Sequence, residues 1–127
     1  MEEFLNHATH NKDFHTRIED LYSGHYFDWK IVCLFYTSIH YLKALACKRN
    51  KNIGDNHREI IRNITHGTMQ ISGTARTNYV ALFNYSQIAR YEGIDDMDSF
   101  NLLRENDYRH AVKCFTDFEK FIHSSIA

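Results

Sequence analysis

The sequence has no proline among its 127 residues, where average usage of about 5% would supply about six. Proline fixes φ and removes a backbone donor, so its absence favours long, uninterrupted helices. Cysteine is also sparse, since only Cys33, Cys47 and Cys114 are present. An odd, scattered set of three predicts no disulfide framework and indicates a reduced, cytoplasmic protein in which the thiols are small buried residues.

Long hydrophobic runs and a charge excess are missing too. No stretch approaches the ~20 apolar residues of a membrane span, so we expect no membrane association. Fifteen basic and sixteen acidic residues give a net charge of −1 with histidine neutral. That balance argues against a dedicated duplex-DNA binder but leaves room for a local groove that contacts RNA.

What is present is typical of one folded domain over residues 1–127. A hydrophobic content of 43%, with 14% aromatic residues, excludes a disordered chain. Apolar residues recur at helical spacing in several segments, which predicts an all-α fold, a four- to five-helix up-and-down bundle. The predicted helices cover 2–21, 29–48, 57–66, 74–91 and the chain from 99 onward, with a weak point at 106–107. In the first of them the segment HATHNKD weakens the helical pattern, so two short helices are the alternative there.

Capping residues and faces can be predicted for two of these helices. Asp28 is placed to cap the second helix, and Asn56 with Glu59 resembles a capping box at the start of the third. On the second helix, Tyr36 and His40 lie one turn apart on a stripe that we expect to face the core. The stripe also contains the residues Trp29, Val32, Cys33, Ile39 and Lys43. A second apolar face, which indicates a central helix, contains Ile31, Leu34, Phe35, Leu42 and Leu45.

Three segments resemble a known family. YFDWKIVCLFYTSIHYLKALA (26–46) is similar to the first core helix of HEPN domains, with its Trp, aromatic pair, His and Ala. NHREIIRN (56–63) resembles the next helix of that family, and YVALFNYSQIARYEG (79–93) resembles the third. With the final amphipathic helix, the likeness covers about residues 20 to 124.

The resemblance implies a HEPN-like helical bundle that forms a homodimer and associates with RNA or nucleotides. Many family members are ribonucleases in prokaryotic toxin–antitoxin, anti-phage defence and stress systems, and others have lost catalysis. The active members carry Arg, a polar residue and then His after four to six intervening positions. Two such motifs in the dimer promote metal-independent attack of the RNA 2′-hydroxyl on the adjacent phosphate.

Arg104 and His110 fit that motif, with five intervening residues. Arginine can bind a phosphate through its bidentate fork, and histidine can accept or return a proton near neutral pH. By resemblance, Arg104 binds the phosphate and His110 is the general base or acid. The match departs from the family at Glu105, where Asn, Asp or His is commoner, and at Val112, where toxins have Tyr. An Arg–His pair at so loose a spacing also arises by chance.

Helix spacing also predicts a second candidate site, one for binding rather than catalysis. Helix ends in a bundle can bring together polar and aromatic side chains that bind a phosphate or nucleotide in a groove. The candidate binding residues are Tyr36, His40, His57, Arg58, Arg90 and Tyr91. The same residues can instead form a hydrogen-bonded network that only fixes helix register.

Metal and cofactor motifs are not recognisable in the sequence. His7 with His10, and His110 with Cys114, have spacings that can share a ligand, but no third and fourth ligands accompany them. No Gly-rich phosphate loop is present either. We therefore predict no metal and no cofactor. The alternatives to an RNA-associated protein or ribonuclease are a non-catalytic helical interaction module with a protein partner, and a nucleotide-binding scaffold.

Overall fold

The computed structural model describes residues 1–92 and 105–127, with only the backbone of residues 91 and 92. All regular secondary structure in the described part is helical, which confirms the predicted all-α bundle. The helices are α1 (Glu2–Leu21), α2 (Phe27–Lys48), α3 (His57–Thr65), α4 (Gly73–Gln87), a π-helical turn (Ile88–Glu92) and α5 (Glu105–Ile126).

Helix α2 is central, since it packs against α1, α4, the π-helical turn and α5. Its completely buried side chains include Phe35 and Leu42, which meet Tyr79 and Leu82 of α4 and Phe118 of α5 in one core. The Phe35 ring lies 5.7 Å from that of Tyr79, which lies 5.8 Å from that of Phe118. Large rings at these separations bury much apolar surface, which is the main stabilising contribution.

The predicted inward stripe of α2 is wrong in part. Trp29 is 61% exposed and Tyr36 is 37% exposed, although Ile39 of the same stripe is buried. The core face is instead the one with Ile31, Leu34, Phe35, Leu42 and Leu45, because α4 and α5 cover that side. Tyr36 and His40 are therefore placed where a ligand can reach them.

Two local predictions are corrected as well. Helix α1 is continuous rather than split. The predicted weak point at 106–107 lies at the first described residues of α5, and the chain before Glu105 is outside the described residues. Asp28 does not cap α2, because the helix begins one residue earlier, after Tyr26 in the left-handed conformation. Gly93, expected to end α4, lies outside the described residues.

The cysteines are only partly as expected. Cys114 is buried and Cys33 is half-buried, but Cys47 is exposed at the end of α2. All three are free thiols. Among the described helices, none combines the length and the apolar character needed to cross a bilayer.

Candidate functional site

A cavity of about 510 Å³ lies between the middle of α2 and the start of α3. Its polar lining includes a cation, two imidazoles and a phenol, which is a combination that suits an anionic ligand with an aromatic part. The residues that line it are Tyr36, Ile39, His40, Lys43, Gly54, Asp55, Asn56, His57 and Ile60.

The α3 edge of the cavity is fixed by a helix cap. The Glu59 amide donates to Asn56 Oδ1 at 2.9 Å, as the predicted capping box requires. The Glu59 carboxylate accepts from the Asp55 amide at 2.8 Å, one residue before the position that a capping box uses. Gly54 has φ +114°, and a Cβ there would lie 2.7 Å from Glu59 Cβ, so only glycine permits this close approach.

His40 and His57 each have a buried Nδ1 atom without a hydrogen-bond partner among the described residues. The His57 ring packs between Phe35 and Phe83, at 5.5 and 5.3 Å between ring centroids. Burial lowers the pKa of His57, and the charge of Arg90 lowers it further. Burial also lowers the pKa of His40, so both imidazoles are neutral at pH 7.

Arg90, in the π-helical turn that follows α4, contacts the lining residue Tyr36. Its Nη1 donates to the hydroxyl of Tyr36 at 2.9 Å, and its Nε donates to the Ser86 carbonyl at 3.3 Å. The guanidinium lies 5.3 Å from the ring centroid of Phe35 and 5.5 Å from that of Tyr36. This stacking holds a positive charge beside the cavity in a defined orientation.

The structure brings together four of the six predicted binding residues. Tyr36, His40 and His57 line the cavity, and Arg90 is hydrogen-bonded to Tyr36. Arg58 is exposed on α3 and is not a lining residue. The side chain of Tyr91 lies outside the described residues. Lys43 also lines the cavity and supplies a cation there. The sequence placed it on the α2 stripe but not among the predicted binding residues.

Of the predicted catalytic pair the structure describes only His110, because Arg104 lies outside the described residues. His110 is exposed on α5, and its Nδ1 lies 2.8 Å from the hydroxyl of Tyr85 on α4. Its Nε2 is 3.7 Å from Cys114 Sγ. Burial raises the pKa of the Cys114 thiol, so this cysteine is not an activated nucleophile.

Tyr108, two residues before His110 on α5, faces a different helix. It is buried toward α1, where its hydroxyl donates to the Glu19 carboxylate at 3.0 Å and lies 2.7 Å from His15 Nε2. Glu19 also forms a 2.8 Å ion pair with Lys30, whose side chain is completely buried. This polar network joins α1, α2 and α5.

The polar network is absent from the sequence-based prediction. Its one sequence signal is Lys30 itself, four residues before the buried Leu34 and so on the core face of α2. The bonds from Lys30 and Tyr108 lower the pKa of Glu19, the Lys30 bond having the larger effect.

No group of three or more potential metal ligands occurs in the described part of the chain. Comparisons of the sequence with protein-family models and with curated proteins, and of the structure with solved structures, give no match. The assignment of function therefore depends on the geometry of the cavity and on the sequence resemblance.

Proposed function

We propose that this protein is a HEPN-like, RNA-associated helical bundle whose α2–α3 cavity binds the phosphate-bearing part of a nucleotide, either free or within RNA. The proposal depends on one observation above all. Tyr36, His40, Lys43 and His57 converge on a single cavity, and Arg90 is bonded to the first of them.

Phosphate recognition follows from the donors around this cavity. Lys43 supplies a cation, and Arg90 supplies a guanidinium fork whose orientation is fixed by its bond to Tyr36. The N-terminus of α3 adds amide groups that have no partner within a helix, together with the positive end of the helix dipole. Asp55 adds a carboxylate, which suits a ribose hydroxyl or a base amino group better than a phosphate.

The aromatic part of the ligand has a matching surface. Tyr36 is partly exposed, so one part of its ring is available to stack on a base. The imidazoles of His40 and His57 add aromatic surface to the cavity lining, while their Nδ1 atoms are buried. An inorganic anion would use only some of these groups, so a nucleotide is the better fit.

The resemblance extends the proposal to a homodimer that acts in a prokaryotic defence or stress system. Metal-independent cleavage of RNA by Arg104 and His110 remains a prediction of that resemblance. The non-catalytic alternative, a nucleotide-binding scaffold, uses the same cavity without the cleavage step.

Binding measurements test the proposal directly. We would titrate the protein with a mixed-sequence RNA decamer labelled with fluorescein, with adenosine monophosphate and with inorganic phosphate. Comparing the decamer with the monophosphate distinguishes an RNA site from a site for free nucleotides. An RNA site should bind the decamer more tightly than adenosine monophosphate, whereas a site for free nucleotides should not. Lys43→Ala and Arg90→Gln should each weaken binding about tenfold, equivalent to ~1.4 kcal/mol.

Lys113→Ala is the matched control, because Lys113 is an exposed lysine on α5 away from the cavity. It should leave the affinity within about twofold. Equal affinities for the parent and the Lys43→Ala variant would contradict the proposal. No binding of any probe at millimolar concentration would do the same.

A further inference from the structure

A second cavity, of about 410 Å³, adjoins the α2–α3 cavity. It lies between the first turn of α1, the end of α2 and the loop 51–54, and we call it the α1–α2 groove. The two cavities share Lys43 and Gly54 as lining residues, so they form one continuous depression. Along α2 this depression extends from Tyr36 to Cys47, which is roughly 16 Å at the helical rise per residue.

The basic residues of the chain are concentrated beside this depression. No acidic residue occurs between Asp28 and Asp55, whereas the same interval contains five basic residues, four of them within 43–51. Because the net charge of the whole chain is −1, the remainder carries an acidic excess. A basic segment in an otherwise acidic chain attracts an anionic ligand to this part of the surface.

Two of these four cations are available to a ligand. Lys48 and Arg49 each donate to a backbone carbonyl elsewhere in the chain, so they serve to anchor the end of α2. Lys43 lines both cavities and Lys51 lines the α1–α2 groove, and neither forms an ion pair with a described residue. The acidic residues in the first turn of α1 line neither cavity. The charges of Lys43 and Lys51 are therefore not neutralised by a neighbouring carboxylate.

Each half of the depression also contains one aromatic ring. Tyr36 lines the α2–α3 cavity, and Phe4 of α1 lines the α1–α2 groove. Phe4 is only partly buried and does not pack on the hydrophobic core, unlike its neighbour Leu5. A positively charged groove with accessible rings is the surface on which successive bases of a single strand stack.

The wall between the two lysines is held by hydrogen bonds of its own. The Lys51 amide donates to a carbonyl of α2 at 2.9 Å, and the Gly54 amide donates to Asn52 Oδ1 at 2.9 Å. From α3, the Asn63 side chain donates to the Ile53 carbonyl at 2.8 Å. Because the wall is already ordered, binding loses little conformational entropy there.

We infer that the α2–α3 cavity and the α1–α2 groove together bind two linked nucleotides with a terminal 5′ phosphate. The first nucleotide lies in the α2–α3 cavity as in the proposed function, on which this inference rests, with its base on Tyr36 and its phosphate at Lys43. That phosphate is then the link to the second nucleotide. The second base stacks on Phe4, and the terminal phosphate binds Lys51.

The affinities of three adenosine probes test this inference by isothermal titration. Adenosine monophosphate fills only the α2–α3 cavity. The dinucleotide ApA has the second base but no terminal phosphate, and its 5′-phosphorylated form, pApA, has both. We expect pApA to bind at least tenfold more tightly than either of the other two, because it alone engages the ring and the cation of the α1–α2 groove.

Two variants of the α1–α2 groove locate the effect. Lys51→Ala and Phe4→Leu should each weaken binding of pApA about tenfold and leave adenosine monophosphate within about twofold. Leucine keeps an apolar side chain at position 4 and removes only the ring. Lys51→Ala should also reduce the slope of log affinity for pApA against log salt by about 0.7. Lys120→Ala, which removes an exposed lysine of α5 that lines neither cavity, is the matched control and should bind every probe like the parent.

The possible failures are distinguishable. If pApA binds no more tightly than adenosine monophosphate, or if Lys51→Ala leaves its affinity unchanged, the second site is refuted. The proposed function survives that result as long as binding of the monophosphate still depends on Lys43. If no probe binds, both are refuted.

A tetranucleotide with the same 5′ end identifies the source of the dinucleotide unit. It should bind at least as tightly as pApA if the depression receives the 5′ end of an RNA chain. It should bind more weakly if the ligand is a free dinucleotide, because the additional nucleotides then have no place beyond Tyr36.

Discussion

Arg90 and Tyr36 join the end of α4 to the exposed side of α2 through a 2.9 Å hydrogen bond from guanidinium to phenol. The two residues are 54 positions apart in the sequence. Their contact depends on the π-helical turn at Ile88–Glu92, which interrupts the regular hydrogen-bond pattern of α4 before Arg90. The bond orients a guanidinium beside a lining residue of the α2–α3 cavity, so it connects helix packing with ligand binding.

Tyr36→Phe should weaken binding of adenosine monophosphate about three- to tenfold, because it removes the hydroxyl that accepts from the Arg90 guanidinium and orients it, and leaves the ring in place. Arg90→Gln should have a larger effect, since it removes the charge itself. Isothermal titration at two salt concentrations distinguishes these contributions: Arg90→Gln should reduce the salt dependence, whereas Tyr36→Phe should not. Equal salt dependence in the two variants would contradict a direct role of Arg90 in phosphate binding.

Asn56→Ala should destabilise the protein by about 1 kcal/mol, the usual cost of losing a helix cap, and should also weaken nucleotide binding. Ser72 caps α4 in the same way, by accepting from the Ala75 amide at 3.1 Å, but is remote from the cavity lining. Ser72→Ala is therefore the matched control: similar loss of stability by urea denaturation, with unchanged affinity. A parallel loss of affinity in both variants would show that binding merely follows stability.

Acidification from pH 7.5 to 5.5 should lower the melting temperature. In the folded protein, burial lowers the pKa of His15, His40 and His57 below 6.5, the ordinary value of a histidine. The unfolded chain therefore takes up protons first, and stability is lost as the pH falls through 6.5 toward the lower folded values. The lowered pKa of Glu19 affects stability only below pH 4.5, the usual pKa of a glutamate, so it does not contribute between pH 7.5 and 5.5.

Circular dichroism melts at pH 7.5, 6.5 and 5.5 measure this dependence. His57→Gln should reduce its slope, because one of the three contributing imidazoles is gone. Thr116→Gln, at an exposed site on α5, changes no titratable group and provides the control. A melting temperature that is constant or rises over this interval would be inconsistent with three buried neutral histidines.

The helical fold was predictable because its signals are local. The Asn56 cap, the 3–4 spacing of Tyr108, Ala111, Phe115 and Phe118, and the absence of proline each act within one helix. The identity of the buried face of α2 was not predictable in the same way. Apolar residues occur on two sides of that helix, and the packing of α1, α4 and α5 around it decides which side is covered.

The candidate cavity was partly predictable for the same reason. Tyr36 and His40 are one turn apart, so their proximity follows from helix geometry alone. The bond from Arg90 to Tyr36 depends on the path of the chain between α2 and the π-helical turn, which no local pattern encodes. The position of Lys30 under Tyr108 and Glu19 is also a product of tertiary packing.

Glu19→Gln should destabilise the fold by about 2–3 kcal/mol, because it leaves the buried ammonium of Lys30 without a charged partner. The estimate is below the ~3–5 kcal/mol of a fully buried pair because Glu19 is itself 38% exposed. Urea denaturation measures the change. Arg17→Ala removes an exposed ion pair and should cost less than ~0.5 kcal/mol, which makes it the control.

The double variant Glu19→Gln/Lys30→Met distinguishes lost charge pairing from lost packing. Methionine fills much of the volume of lysine without a charge, so the double variant should be more stable than Glu19→Gln alone. If the two destabilisations simply add, Lys30 and Glu19 do not interact, and the ion pair is not what joins α1 to α2.

His110→Ala should abolish cleavage of total RNA in EDTA if the Arg104–His110 motif is catalytic, since it removes the general base or acid. Tyr85→Phe should reduce cleavage about tenfold rather than abolish it, because the Tyr85 hydroxyl only orients the imidazole through Nδ1. Arg104→Ala should also eliminate cleavage. Lys113→Ala, three residues beyond His110 and exposed, serves as the control and should cleave like the parent.

The pH profile separates positioning by Tyr85 from a structural effect. A residue that orients His110 through a hydrogen bond alters the apparent pKa of the cleavage reaction, whereas a packing defect lowers the rate at every pH. Cleavage retained in purified His110→Ala would refute the catalytic assignment. Absence of cleavage in the parent, together with nucleotide binding at the α2–α3 cavity, would identify the protein as a non-catalytic binding module.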